Sequence, residues 1–265
     1  VSYESAKWSA AQFHDFMVVL KAEFTKKGVF TALPNLTLMA PEHNNMQEAL
    51  VLPTLADTNT APLVGIVAGH QYEFGWAGNP LDVQTPSFST SRAAGKRLWM
   101  TEWSVEKFLN NGAYTNNDVY PTLALAKLIH TDLAVHGLNA FVYWWSSALV
   151  NNGSPAKVLW TLGQYSRFIR PGWKRINATT APTTDVLLSA YISPAGDQLA
   201  LVAVNMGTSQ RSFSMTLDSR FYGTVSAYRT SATENLAALP TLAGGSDNLD
   251  VTVPAQSITT YVSSI

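Results

Sequence analysis

The chain has 265 residues, of which 46% are hydrophobic and only 13% are charged, against about 25% charged in a typical soluble protein. This composition excludes global disorder, and the absence of cysteine excludes disulfides and thiolate chemistry. A net charge of −1 argues against nucleic-acid binding, and no apolar run reaches the length of a membrane-spanning helix, so neither nucleic acid nor a membrane is an expected partner.

Before residue 180, helical and strand patterns alternate along the chain. Ser9 is the predicted N-cap of a helix in which Phe13 and Met17 recur at helical spacing, and Gly28 ends that helix. In chain order the patterns then predict a strand over 36–40, a helix over 46–52, a strand over 64–68, a polar loop over 73–94, a strand over 96–100, a helix over 119–136, a strand over 140–144 and a helix over 162–169. Strands that alternate with helices imply parallel β/α units, and four such units make half of a (β/α)8 TIM barrel.

After residue 180 the pattern becomes that of a β-sandwich. Several short segments alternate apolar with polar residues, and turn residues separate them at the spacing of a sandwich. The sequence therefore predicts an α/β barrel portion at residues 1–178 and an all-β sandwich at residues 179–265. The predicted strands cover 186–191, 199–204, 211–217, 224–228, 249–253 and 257–262.

Two carboxylates directly follow predicted buried strands, in a chain that has few charged side chains. Glu102 follows the strand over 96–100, and Glu42 follows the strand over 36–40. Barrel enzymes place their active sites at these carboxyl ends, and glycoside hydrolysis requires two carboxylates that flank one bond. The alternatives are a surface glutamate at a strand end for Glu102 and a helix-cap or loop role for Glu42.

His70 and Tyr72 lie two residues apart at the end of the strand over 64–68, so both side chains can point the same way. Such a pair can hydrogen-bond a sugar or orient a carboxylate; the alternative is that one of the two is a half-buried core residue. Trp103 follows the strand over 96–100 and Trp144 ends the strand over 140–144. Both would offer apolar walls to a sugar ring, although most aromatic residues are expected in the core. The histidines lack metal-ligand spacing, so no metal and no cofactor are expected.

Five segments, taken together and in chain order, resemble glycoside hydrolase family 30, and the likeness is greatest to its endo-xylanase branch. The likeness covers essentially the whole chain. It implies a (β/α)8 barrel with a β-sandwich attached at its side, and retaining hydrolysis by two glutamates. The segments are Gly69-His-Gln-Tyr72, Leu98-Trp-Met-Thr-Glu102, Ala140-Phe-Val-Tyr-Trp-Trp145, Leu162-Gly-Gln-Tyr-Ser-Arg-Phe-Ile-Arg-Pro-Gly172 and Pro254-Ala-Gln-Ser-Ile-Thr-Thr-Tyr261.

The same resemblance assigns roles to individual residues. Glu102 stands where the family has its nucleophile, His70 and Tyr72 match its strand-six motif, and Trp144 matches its strand-eight tryptophan. Glu42 matches a glutamate with a supporting role. The family's acid/base glutamate lies in an Asn-Glu-Pro sequence after the fourth strand, which this chain does not contain. We therefore expect strands five to eight here, and the N-terminal half of the barrel, with the acid/base, as a second chain or segment. Glu42 would be the acid/base only if the chain is complete.

The resemblance implies the activity of an endo-β-1,4-xylanase that cleaves xylan by double displacement. Members of the resembled family that are specific for glucuronoxylan carry arginines in the loop after strand eight. The corresponding loop over 146–153 has no arginine, which argues against an obligate need for a glucuronyl branch. The alternatives are a β-1,6-galactanase, another β-glycanase of the family, or a relative that binds carbohydrate without cleaving it. Two N-x-S/T sequons, at Asn35 and Asn177, are compatible with an N-glycosylated protein that is secreted to the extracellular space.

Overall fold

The computed structural model describes residues 6–72, 88–105, 114–115, 117–216, 223–242 and 248–264. The described residues belong to two compact units. The first unit takes them from 1–76, 84–103 and 136–143, and the second from 104–135 and 144–265. Most of the predicted loop over 73–94 lies outside the described residues.

The first unit is a parallel β-sheet with helices between its strands. Its strands pair in the order β1-β2-β3-β4, every pair is parallel, and the predicted β/α units are thus present as a four-stranded sheet. In chain order the elements are α1 (Ala10–Lys26), α2 (Val29–Ala32), β1 (Leu38–His43), α3 (Leu52–Ala56), β2 (Val64–His70), α4 (Ser89–Ala93), β3 (Arg97–Trp103) and β4 (Ala140–Tyr143).

Local sequence signals account for where these helices begin. Ser9 caps α1 as predicted: its side chain accepts from the Gln12 backbone N–H, and the Gln12 side chain accepts from the Ser9 N–H, a reciprocal capping box. The helix predicted over 46–52 is wrong. Met46 has a left-handed φ of 45°, and the helical turn starts only at Leu52, where Pro53 occupies the first turn.

Among its described residues, the second unit joins three further α-helices and a π-helical turn to the β-sandwich. A six-stranded antiparallel sheet has the order β12-β11-β14-β9-β8-β7, and β10 pairs with β13. Apolar side chains of both sheets form one core, as predicted for a sandwich. The elements are α5 (Val119–His130), a π-helical turn (Thr131–Val135), α6 (Ser146–Leu149), β5 (Val150–Asn151), β6 (Ser154–Pro155), α7 (Lys157–Ser166), β7 (Lys174–Ile176), β8 (Val186–Ile192), β9 (Gln198–Asn205), β10 (Arg211–Thr216), β11 (Val225–Thr230), β12 (Ala237–Ala238), β13 (Asn248–Val253) and β14 (Ser257–Ser264).

A buried polar network ties α7 to the large sheet. The Gln164 side-chain amide donates to Thr230 Oγ1 at 2.9 Å, and Thr260 Oγ1 lies 2.6 Å from Gln164 Oε1. The Tyr165 hydroxyl donates to the Ala126 carbonyl of α5 at 3.2 Å. Satisfied buried hydrogen bonds of this kind fix a unique packing, so both helices are built into the sandwich unit. The boundary predicted at residue 178 separates domains that fold independently. Membership of a compact unit does not test independent folding, so this boundary stays a prediction.

Within the described residues, no helix combines the length and the apolar character that spanning a membrane requires.

Candidate active site

The carboxyl ends of the four parallel strands are irregular, and the irregularities shape the site. The pairing register shifts between Pro41 and His43 on β1, between Gly69 and His70 on β2, and between Met100 and Trp103 on β3. Such β-bulges bend a strand and re-aim its side chains, and they are common beside active sites. Here the shifts place His70 opposite Glu102.

Glu102 is held by two side chains of the neighbouring strand end. The Tyr72 hydroxyl donates to Glu102 Oε1 at 2.9 Å, and His70 Nε2 lies 3.5 Å from Glu102 Oε2. The Glu102 side chain keeps 23% of its surface exposed. Both predicted partners thus contact the carboxylate, one on each oxygen, and the carboxylate stays accessible to a ligand.

Glu42 occupies the bulged position of β1 on the other side of His70. Its φ of 58° is left-handed, which is uncommon for a residue with a side chain. Thr101 Oγ1 donates to Glu42 Oε2 at 2.7 Å, and the same carboxylate oxygen lies 4.0 Å from His70 Nε2. His70 therefore stands between two carboxylates, and the structure brings Glu42, His70, Tyr72 and Glu102 into one cluster.

Gly69 allows the chain after β1 to pass directly over β2. A Cβ at Gly69 would lie 2.6 Å from the His43 carbonyl oxygen and 2.9 Å from the Met46 Cα. Real Cβ atoms do not approach backbone this closely, so glycine is required at this strand position. The close approach seats the 43–46 turn against the strand that carries His70.

The two tryptophans predicted to contact sugar differ in exposure. Trp103 is only 1% exposed and packs edge to face with Tyr143, with ring centroids 6.5 Å apart. Its predicted role as an apolar wall for sugar is therefore wrong, because the bulge that precedes it turns the ring into the core. Trp144 directly follows β4 and is 53% exposed, so its ring is available to a ligand.

Thr101 belongs to the cluster but is not predicted from the sequence. Regular alternation would point Thr101 and Glu102 to opposite faces of β3. The sequence therefore gave no reason to expect Thr101 beside the carboxylates. The bulge at this position lets Thr101 reach Glu42 while Glu102 meets His70.

No cluster of three or more potential metal ligands occurs in the part of the chain that the structure describes. At the cluster around Glu102, a carboxylate positioned by a phenol and an imidazole can act as a base, as a nucleophile or as a stabiliser of positive charge.

Both sequon asparagines, Asn35 and Asn177, are exposed.

A comparison with protein families finds a match in the C-terminal part of the chain. Residues 172–261 match the glycosyl hydrolase family 30 β-sandwich domain. This range begins just before β7 and ends within β14, so it covers the sandwich strands of the second unit.

Similar proteins are found for most of the chain. It is 28% identical over 233 residues to glucuronoxylanase XynC of Bacillus subtilis strain 168, a match that covers 86% of this chain and 53% of that protein. The chain therefore spans about half the length of the curated relatives that it matches.

Two solved structures of xylanases share the fold. The crystal structure of the family 30 subfamily 8 xylanase Xyn30A from Clostridium acetobutylicum is 30% identical, with a TM-score of 0.83 over 99% of this chain and 62% of that one. A family 30 endoxylanase from Clostridium papyrosolvens C71 is 27% identical, with a TM-score of 0.80 over 100% of this chain and 63% of that one.

Proposed function

Because the chain belongs to glycoside hydrolase family 30, we propose that it is the C-terminal part of a retaining endo-β-1,4-xylanase in which Glu102 is the nucleophile. The observation that carries this proposal is the cluster at the carboxyl ends of β2 and β3, where Tyr72 and His70 each hold one oxygen of Glu102. The xylanase names of several relatives support the choice of substrate.

The proposed mechanism is double displacement, which the family resemblance implies and which the contacts of the Glu102 carboxylate support. Glu102 attacks the anomeric carbon and forms a glycosyl ester, and water then hydrolyses that ester with overall retention. Tyr72 and His70 restrict the carboxylate to one orientation, so that the attack needs little reorganisation. Trp144 offers an exposed apolar ring to a sugar, as the family resemblance implies.

The second carboxylic acid of the mechanism is proposed to come from outside this chain. It protonates the leaving oxygen and later activates water, and its carboxyl carbon should lie about 5–5.5 Å from that of Glu102. Glu42 does not suit the acid role, because its Oε2 already accepts a hydrogen bond from Thr101 and faces His70. A supporting role for Glu42 agrees with these contacts.

The N-terminal half of a (β/α)8 barrel is the proposed partner, as a second chain or segment. Among the described strands, β1 and β4 each have only one neighbour in the parallel sheet. Open edges of a parallel sheet leave backbone donors and acceptors unpaired, and closing the sheet into a barrel would remove both edges. The greater length of the relatives supports the same proposal.

Secretion and N-glycosylation at Asn35 and Asn177 are also proposed; the exposure of both side chains supports the glycosylation. Sugar addition to a chain expressed in a eukaryotic host, detected by intact mass before and after deglycosylation, tests this point. An unchanged mass in a secreted product would contradict it.

The decisive variant is Glu102→Gln, which keeps the size of the side chain and removes its nucleophilicity. We expect at least a thousandfold loss of reducing-sugar release from xylan by the full-length protein, with unchanged thermal unfolding. Glu23→Gln, which removes an exposed charge from α1, is the matched control and should be fully active.

The same assay tests the proposed partner and the competing function. The 265-residue chain alone should release no product, and adding the N-terminal half should restore activity. A Glu102→Gln protein that retains wild-type turnover would contradict the nucleophile. Binding of xylan without product release by the full-length protein would instead identify a carbohydrate-binding relative.

A further inference from the structure

His70 faces two carboxylates with a single nitrogen. Its Nε2 lies 3.5 Å from Glu102 Oε2 and 4.0 Å from Glu42 Oε2. An imidazole nitrogen carries at most one hydrogen, so a full hydrogen bond can go to only one of these oxygens at a time. In the resting arrangement the shorter distance favours Glu102.

Glu42 is held in place as the second acceptor by a group other than His70. Thr101 Oγ1 donates to Glu42 Oε2 at 2.7 Å, and the left-handed backbone at the bulge fixes where the glutamate leaves the strand. Thr101 is also 3.1 Å from the Gly69 carbonyl, so it links the strand ends that carry both carboxylates. A shift of about 0.8 Å would bring Nε2 from 4.0 Å to within hydrogen-bonding distance of Glu42 Oε2, about 3.2 Å.

We propose that Glu42 is a positioning residue that receives the His70 Nε2–H while Glu102 is covalently occupied. The inference rests on the proposed role of Glu102 as nucleophile. When Glu102 bonds to the anomeric carbon, the bond to the leaving oxygen breaks, a separate acid protonates that oxygen, and Glu102 loses its negative charge. His70 neither gains nor loses a proton; its hydrogen bond moves from the neutral ester to the Glu42 carboxylate. Hydrolysis of the ester restores the Glu102 charge, and the bond moves back.

The exchange stabilises the glycosyl-enzyme relative to the free enzyme. A hydrogen bond to a carboxylate is roughly twice as strong as one to a neutral oxygen. If Glu42 carried no charge, His70 would have no carboxylate acceptor once Glu102 had become a neutral ester. The transition states for forming and for hydrolysing the glycosyl-enzyme carry similar partial charge on Glu102. Removing the Glu42 charge therefore changes their free energies by similar amounts. The quantity that Glu42 controls is therefore the ratio of the rate constant for forming the intermediate to the rate constant for its breakdown.

The test measures that ratio in the full-length protein with 2,4-dinitrophenyl β-xylobioside. This leaving group makes formation fast, and rapid-quench mass spectrometry gives both rate constants from the growth and the steady-state level of the glycosyl-enzyme. Glu42→Gln should lower the ratio roughly tenfold. Thr101→Val, which keeps the side-chain shape and removes the hydroxyl, should lower it in the same direction by a smaller factor, and Glu23→Gln should leave it at the wild-type value.

A purely structural role for Glu42 would give a different result. Loosening the site would slow formation and breakdown by the same factor, and an unchanged ratio in Glu42→Gln would overturn the inference while the nucleophile assignment stands. A wild-type protein that forms no glycosyl-enzyme at all would overturn both.

Discussion

At the scale of single residues, Gly69 is the position where one added methyl group has the clearest consequence. The Cβ of Gly69→Ala would meet backbone atoms at 2.6 Å and 2.9 Å, and backbone cannot yield as a flexible side chain can. We expect Gly69→Ala to lower the free energy of unfolding by about 2–4 kcal/mol, measured by urea denaturation. Displacement of the 43–46 turn should also reduce activity, because that turn follows Glu42.

Gly163 provides the matched control, since it lies inside α7 and an added Cβ would meet only Leu236 Cδ2, at 3.4 Å. Alanine has the higher helix propensity, so Gly163→Ala should raise the free energy of unfolding by about 0.5–1 kcal/mol. If both variants changed stability by the same amount and in the same direction, the close backbone approach at Gly69 would not be the cause.

At the scale of elements, α5 ends in a buried titratable group. His130 is 2% exposed, and burial lowers its pKa from 6.5 to about 4. At a pH between these two pKa values, the His130 side chain binds a proton in the unfolded chain but not in the folded chain. Its contribution to the free energy of unfolding is therefore complete above pH 6.5 and is lost as the pH falls towards 4. The loss attributable to this group should reach about 3 kcal/mol.

The measurement is the free energy of unfolding at pH 7 and at pH 4 for the wild type and for His130→Gln, which cannot titrate. The wild type should lose about 3 kcal/mol more than the variant between these conditions. Equal losses in the two proteins would show that His130 contributes nothing to the acid sensitivity.

The elements also show what the sequence could predict. Strands such as β2 and β9 have continuous apolar runs, and their positions were predicted to within two residues. The helix over 119–136 was predicted, but its residues from Thr131 to Val135 form a π-helical turn. The helix predicted over 162–169 is α7, which starts earlier than predicted, at Lys157 after the short β5–β6 hairpin. Such endings depend on contacts that are distant in sequence.

The β-bulges at the strand ends could not be predicted either, because they also depend on contacts that are distant in sequence. A register shift is a property of two strands, and the sequence of β3 alone indicates only simple alternation. The proximity of Glu102, His70 and Tyr72 could therefore be predicted. The contact between Thr101 and Glu42 and the burial of Trp103 could not.

At the scale of the whole molecule, the first unit presents apolar surface as well as open strand edges. Met39 on β1 is 43% exposed and Val142 on β4 is 44% exposed, one on each edge strand. On α1, Phe16 and Val19 are 45% and 61% exposed. Apolar groups beside unpaired strands are typical of a surface that another segment covers, which agrees with the proposed N-terminal half of the barrel.

The central claim is that Glu102 becomes covalently bonded to sugar, and direct identification of that bond tests it best. The full-length protein is incubated with an activated 2-deoxy-2-fluoro-xylobioside, digested, and its peptides are sequenced by mass spectrometry. The account predicts one added glycosyl group, on Glu102, which is lost when the protein turns over in the presence of xylan. A label on any other residue, or an active protein that never acquires one, would contradict it.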